Sequence, residues 1–480
     1  MSRSPEILII GGGPAGCAAA RLLATWGHDI VLITRPDGAS PAPLAESIPP
    51  SGRKLWSVLG VQDAVDRAGF VRATGNTVWW GAESRVELFA DGERGWQVTD
   101  LALARVLLDQ ARAAGARVEQ RIVTEEEAAA RPAAFRLDCS GRSGLLARPR
   151  GGRRYEPELR TVAIAATWRS DGAWSATDDT HTHIESYTDG WAWSVPVGGG
   201  ARSVAVMVDP GTTDLARGRG AREIYLAEIA KTRQFAAFLD GAEMESGPTG
   251  WDASMYCSER YAGDDWVLVG DAASFVDPLS SAGVMKALAS GWLAAVVVNT
   301  CLSRPAMRSV ALDFFQAREQ EVYAGLARQT RLFLAQAAAG HAHPFWSTRS
   351  ALLAEQDNTD FHRDSLRSDP SVTRAFDQMR AAPAMQMSRA ADARIERRAA
   401  VSGREIVLER RLVSDRDPIG VRYICDVDVV TLVELAPSFT QVPEIYEACV
   451  RASGPIALPD FLLALSTLVA REWLVWRRGA

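Results

Sequence analysis

Residues 7–16 read Ile7-Leu8-Ile9-Ile10-Gly11-Gly12-Gly13-Pro14-Ala15-Gly16. Four consecutive apolar residues without alternation describe a short strand buried on both faces. The glycines end it, the small-residue run Cys17–Thr25 continues as a helix, and Asp29–Ile33 is a second apolar strand. Gly11, Gly13 and Gly16 stand at G-x-G-x-x-G spacing on the strand-to-helix junction. There the first glycine permits a tight turn, the second lets backbone approach a pyrophosphate, and the third lets helix pack on strand. Pro14 and Ala15 open the helix, whose first N–H groups face the phosphates. The acidic ribose ligand usual at the end of the second strand is missing. Thr34 and Arg35 stand there, so either Thr34 makes a weaker hydrogen bond or Arg35 caps the adenosine differently.

Outward from this unit, residues 96–115 carry a helical pattern (Leu101, Leu103, Val106, Leu107, Ala111). Strands near Ala116–Ile122 and Phe135–Leu137 complete a parallel α/β core. From about 155 to 260 the period becomes two. Thr161–Trp168, His183–Tyr187, Trp191–Pro196 and Ser203–Val208 alternate between turns, which predicts an antiparallel sheet. Helices follow at about 281–302 and 306–337, residues 341–400 read as mostly helical, and three short helices follow Gly403. The expected fold is α/β: a Rossmann-type dinucleotide-binding domain in two parts (1–150 and 263–340) with an inserted antiparallel substrate sheet (151–262). A helical connection (341–402) then leads to a small winged-helix-like C-terminal module (403–480).

The 480 residues hold 53 basic and 59 acidic side chains, and a net charge of −6 excludes a general nucleic-acid binder. Residues 401–480 carry nine basic and eleven acidic residues, which argues against DNA there too. No basic n-region precedes the first strand, and the apolar run Val284–Val298 is broken by Lys286, Ser290 and Gly291. The expectation is a soluble, cytoplasmic protein with neither signal peptide nor membrane span. Six scattered cysteines read as free thiols. His181/His183 and His341/His343 lack clustered carboxylate or thiolate companions, so no metal is expected.

The stretch Gly270-Asp271-Ala272-Ala273-Ser274-Phe275-Val276-Asp277-Pro278-Leu279-Ser280-Ser281-Ala282-Gly283 resembles the flavin-contacting motif of the FAD-dependent monooxygenase and flavin-dependent halogenase superfamily. The resemblance implies FAD as cofactor, with Asp271 at its ribityl–phosphate region and Pro278 beside the ring face. It places the helix N-terminus at Ala282 and Gly283 toward the pyrimidine edge, where a reduced flavin carries negative charge. Three further segments are similar to the family. Ala45-Glu46-Ser47-Ile48-Pro49-Pro50 resembles its Gly-Glu-Ser segment, and Asp138-Cys139-Ser140-Gly141-Arg142-Ser143 its Asp-Ala-Ser-Gly-Arg stretch. Trp191-Ala192-Trp193-Ser194-Val195-Pro196 resembles the Trp-x-Trp-x-Ile-Pro motif of the halogenases. The likeness adds Ser47 and Arg105 to the cofactor contacts, although Asp100 replaces an arginine usual on the Trp96–Arg112 segment. Glu46 and Pro278 are the candidates for catalytic roles, and Trp79, Trp191 and Trp193 for the substrate pocket.

Halogenases of this superfamily place a catalytic lysine in the stretch corresponding to Phe70–Trp80. This chain has three lysines, Lys54, Lys231 and Lys286, against 50 arginines, and none falls there. Arginine does not replace lysine in that chemistry, because its guanidinium stays protonated. Within the superfamily the chain is similar to the flavoprotein monooxygenases of tryptophylquinone cofactor biogenesis. That likeness implies hydroxylation of an electron-rich ring through a C4a-hydroperoxide formed from reduced FAD and O2, the ring being a tryptophan of a protein or peptide. No second dinucleotide fingerprint is present, so electrons come from transiently bound NAD(P)H or a separate flavin reductase. The alternatives are a halogenase of an aromatic natural product and a flavin-binding assembly partner without turnover.

Overall fold

The computed structural model describes residues 7–36, 44–172, 174, 178–213, 220–350, 363–382 and 384–478. The chain forms two compact units, Met1–Leu353 and Ala354–Ala480. In the first, a six-stranded sheet centres on Ile7–Ile10, which pairs in parallel with Ile30–Thr34 on one side and Phe135–Asp138 on the other. Arg117–Gln120 extends the sheet beyond Ile30–Thr34, and Trp266–Leu268 beyond Phe135–Asp138, both in parallel. No residue of the central strand is more than 1% exposed, as an unbroken apolar run on a doubly covered sheet requires. Ile10 stands opposite both Ile33 and Asp138, so three strands end together at one edge. That edge receives the glycine turn.

The Pro14–Thr25 helix lies against Gly283–Ser303, a helix long and apolar enough to cross a membrane but largely buried inside the protein. The contact is closest at Gly291, where a Cβ would sit 2.4 Å from the Ala15 carbonyl oxygen and 3.1 Å from the Ala18 Cβ.

The second sheet runs in the order Glu243–Met244, Val162–Arg169, Ala201–Val208, Gly190–Gly198, Thr182–Tyr187, Gly75–Trp80, Glu83–Leu88, with Thr249–Asp252 also on Val162–Arg169. The expected antiparallel strands are all there. The insertion, however, is not confined to 151–262: Gly75–Trp80 and Glu83–Leu88, read as part of the dinucleotide domain, complete this sheet. Gly75–Trp80 joins in parallel, Trp79 opposite Glu185. A parallel partner more than a hundred residues away leaves no turn signal in the sequence, which is why the join was illegible.

The second unit has its own core, including Leu366, Met385, Leu412, Ile424, Leu432, Phe461, Leu465 and Trp473. The three helices after Gly403 form at Val429–Leu435, Val442–Ser453 and Leu458–Ala470. The connection expected over 341–402 is helical at Pro344–Ser350, Arg363–Ser368 and Pro370–Arg380, but its last part and the boundary at 402/403 do not match the fold. Met385–Arg389 is a strand paired with Leu474–Arg478, and Arg394–Ser402 is one arm of a hairpin with Glu405–Val413. Arg394, Arg397 and Arg398 hide the alternation of that arm, whose residues are mostly exposed or half-buried.

Two helical glycines should respond oppositely to the same substitution. Alanine improves helix propensity by up to about 1 kcal/mol. Gly325, with open space at its Cβ position, should therefore be stabilised by Gly325→Ala. Gly291→Ala, against a backbone carbonyl, should instead lose about 1–3 kcal/mol from overpacking. Chemical denaturation of the two variants checks both signs.

Candidate cofactor site and substrate cavity

A cavity of about 420 Å³ opens at the shared strand edge. Gly11–Pro14, Thr34, Arg35, Asp100, Arg105 and Ser140 line it. Gly11 has φ +113°, and a Cβ there would stand 2.1 Å from the Cys139 carbonyl oxygen; one on Gly16 would stand 1.9 Å from the Gly11 carbonyl oxygen. The turn is thus pressed so close to two neighbouring backbones that only glycine fits. Gly13 caps the Pro14–Thr25 helix without any side-chain hydrogen bond, leaving its first N–H groups open to an anion. Ala15 and Gly16 lie behind the lining, buried in the first helical turn. These residues fit FAD: the turn and helix end would hold its pyrophosphate, and Thr34, Arg35 and Arg105 its adenosine side.

Asp138 explains the neighbouring Asp-Cys-Ser-Gly-Arg stretch. Its fully buried carboxylate accepts hydrogen bonds from the N–H groups of Ser140, Leu146 and Ala147 (3.0, 2.7 and 3.1 Å) and from the Ser140 hydroxyl. It shapes the loop from within, while Cys139, Ser140 and Gly141 face the cavity. Arg142 reaches Asp252 at 3.1 Å and lies over the Phe275 ring.

The turn that the resemblance places beside the flavin is held by an acid of its own. Asp277 is buried and caps Pro278–Ser280 by accepting from the Leu279 N–H at 3.0 Å; burial raises its carboxyl to about 6. Pro278 is the first residue of that turn, Ser281 is left-handed at φ +47°, and Ala282 and Gly283 begin the long helix with no side-chain cap. Glu46 lies half-buried on Ala45–Ile48, opposite Val98. Burial, then the charges of Asp271 and Asp100, push its carboxyl up to about 8. Asp100 has a definite task in place of the arginine: it accepts from the Leu44 N–H at 3.1 Å, while its own N–H donates to the Leu44 carbonyl. It therefore secures the entry to the Glu46 strand.

A second cavity, of about 260 Å³, adjoins this turn. Leu279, Ser280 and Ser281 form one wall; Ser47, Pro49, Asn76, Val78, Trp80, Arg85, Glu87, Phe89, Ile184 and Phe333 complete the lining. Ser47, expected as a cofactor contact, faces this space and not the 420 Å³ cavity. The three tryptophans assigned to the substrate pocket do not line it. Trp79 packs into the core on the other face of its strand, Trp191 is fully buried with its ring edge-on to Trp80 at 6.3 Å, and Trp193 is half-buried. Trp80 lines the cavity instead, its indole N–H held by the Phe333 carbonyl at 2.7 Å. Strand alternation is the reason: Asn76, Val78 and Trp80 share one face and Trp79 the other. No lysine lines either cavity. Lys54 and Lys231 are exposed on other helices, and Lys286 is buried, joined to Asp271. Where the sheet faces the flavin turn, it presents Asn76, Val78 and the Arg85–Glu87 ion pair (2.6 Å).

The histidine pairs have structural partners: His181 Nδ1 meets the Thr77 hydroxyl and His341 Nε2 the Ser186 hydroxyl, each at 2.9 Å. Burial lowers His183 to about 3. Among the described residues no three metal-ligating side chains cluster.

Fold and site together define an FAD-dependent oxidoreductase. The FAD binding domain family model matches residues 4–142, and the Tryptophan halogenase model residues 95–387, more than half of the chain. The chain belongs to the tryptophan halogenase family. A flavin-dependent halogenase of Armillaria mellea is 27% identical over 422 residues, 76% of this chain and 80% of the relative. The tryptophan 2-halogenase of Chondromyces crocatus is 29% identical over 345 residues, 65% and 64% of the respective chains. Among solved structures, the flavin-dependent halogenase CmlS superposes with TM-score 0.77 at 20% identity, covering 100% of this chain and 97% of its own. The peptidyl tryptophan dihydroxylase QhpG superposes with TM-score 0.70 at 22% identity, covering 98% and 99%. At these identities the structures attest the fold.

Two variants test the site. Gly11→Ala should purify without flavin, read as the ratio of flavin to protein absorbance, because its Cβ occupies the space of the Cys139 carbonyl. Glu46→Gln tests the raised carboxyl. In the unfolded chain Glu46 ionises in the ordinary range, whereas in the fold it holds its proton up to about pH 8. Its stabilising contribution is therefore full at low pH and is lost as pH rises through that interval. Thermal melts of FAD-free protein should show wild type losing ground to Glu46→Gln between about pH 5 and pH 8, with no further divergence above.

Proposed function

We propose that this protein is an FAD-dependent monooxygenase that hydroxylates an electron-rich aromatic ring, the indole of a tryptophan side chain within a polypeptide, during quinone cofactor biogenesis. The observation that carries the reading is the lysine-free lining of the cavity beside the flavin turn. Halogen transfer in this superfamily relies on a lysine there, and Arg85 offers instead a planar guanidinium already paired with Glu87.

Bound FAD, once reduced, supplies the activation of O2; the chain supplies positioning and water exclusion. Val78, Trp80, Phe89, Ile184 and Phe333 give the ring an apolar seat, and Asn76 and Glu87 offer polar groups to an indole N–H. A space of about 260 Å³ suits one aromatic side chain and leaves the rest of a polypeptide outside. The fold likeness to a peptidyl tryptophan dihydroxylase supports this substrate class. With no second dinucleotide fingerprint in the sequence, a separate flavin reductase or transient NAD(P)H would deliver electrons.

The second reading, halogenation of an aromatic compound, is favoured by the family and by the halogenases among its relatives. One incubation separates the two: reduced FAD, O2 and bromide with a tryptophan-containing peptide or with free tryptophan. The expected product is peptide that has gained oxygen. Brominated product establishes halogenation, and exclusive turnover of free tryptophan refutes the polypeptide substrate.

A further inference from the structure

Lys286 is the only buried lysine, 5% exposed. A buried ammonium needs partners. Its Nζ donates to Asp271 Oδ1 at 3.2 Å and to the Ser274 carbonyl at 2.5 Å. Both partners belong to the segment that enters the flavin-facing turn, whereas Lys286 lies on the helix that leaves it. One side chain therefore ties the two ends of the turn together. One helical turn further on, the Ser290 hydroxyl accepts from the Gly270 N–H at 2.9 Å, so Lys286 and Ser290 grip consecutive residues from one helix face.

The surroundings are acidic. Asp271 acts electrostatically on Glu46, as does Asp100. Glu319, 4% exposed on the Arg308–Ala338 helix, hydrogen-bonds Ser290; burial raises its carboxyl to about 7 against the opposing pull of Lys286. A compact ammonium with three donors can serve such converging acceptors, where a planar guanidinium would need a wider seat.

We propose that Lys286 is a positioning residue for the cofactor, holding the Asp271 carboxylate where it meets FAD and supplying a fixed positive charge at the flavin-facing turn, with Ser290 and Glu319 as its anchor. Without the ammonium, Asp271 is left uncompensated beside Glu46.

The test is a double-mutant cycle on the full-length protein with Lys286→Met, Asp271→Asn and the pair combined, reading the FAD dissociation constant by flavin fluorescence and the flavin midpoint potential. Lys286→Met should weaken FAD binding about tenfold or more and move the potential to more negative values. In the Asp271→Asn background it should weaken FAD binding little further than that variant alone, since the shared interaction is already gone, while the lost positive charge should still lower the potential. Circular dichroism and melting of the FAD-free proteins confirm folding, and Lys286→Gln replaces Lys286→Met if the latter does not fold. Unchanged affinity and potential, or an equal loss of affinity in both backgrounds, would overturn the proposal and leave the lysine as a helix-packing residue.

Discussion

The structure depends on a close approach of backbones at the end of the central strand. Gly11 leaves Ile7–Ile10 in a left-handed conformation and passes under the Cys139 carbonyl, with Gly16 against the Gly11 carbonyl in turn. No side chain can enter either gap. Parallel pairing of Ile10 with Ile33 and Asp138 brings these segments to one edge. Asp138 then uses its buried carboxylate to fix the loop beyond. The pyrophosphate site follows from this packing, because the first N–H groups of the Pro14–Thr25 helix are left uncapped and facing the cavity.

Electrostatics at the other end of the site run the opposite way. Glu46, Asp100 and Asp271 gather carboxylates around a region meant for an anion-prone cofactor. The charges are managed locally: Asp100 is spent on the Leu44 backbone, Glu46 retains its proton near neutrality, and Asp271 is paired with Lys286. The long helix from Gly283 directs its uncapped N-terminus to the same turn. The 260 Å³ cavity beside it is built from different material, a mixed sheet that sets Val78, Trp80 and Ile184 together with Asn76 and the Arg85–Glu87 ion pair against Leu279–Ser281.

Much of this is legible in the sequence alone. The glycine turn, the strand before it and the motif at 270–283 each combine a local conformational demand with a spacing only a few residues long. Such demands survive in a linear reading, and Gly11, Pro14, Thr34 and Arg35 all line the expected cavity. Trp79, Trp191 and Trp193 do not line the 260 Å³ cavity, because residue type says nothing of which face of a strand is turned inward. Trp80, one position away, takes that place. The hairpin at 394–413 was likewise obscured, since arginine-rich strands carry little hydrophobic alternation.

By itself, then, the sequence determined the dinucleotide fold, FAD as its cofactor and the absence of lysine from the segment where a halogenase places one. These are properties of short contiguous runs, where steric demands on the backbone act between near neighbours. Only the tertiary structure decided that Gly75–Leu88 walls the 260 Å³ cavity, that Asp100 secures the Glu46 strand, and that the one buried lysine sits on Asp271. Each of those joins segments far apart in the chain, and burial and charge are set by whatever side chains the fold brings together.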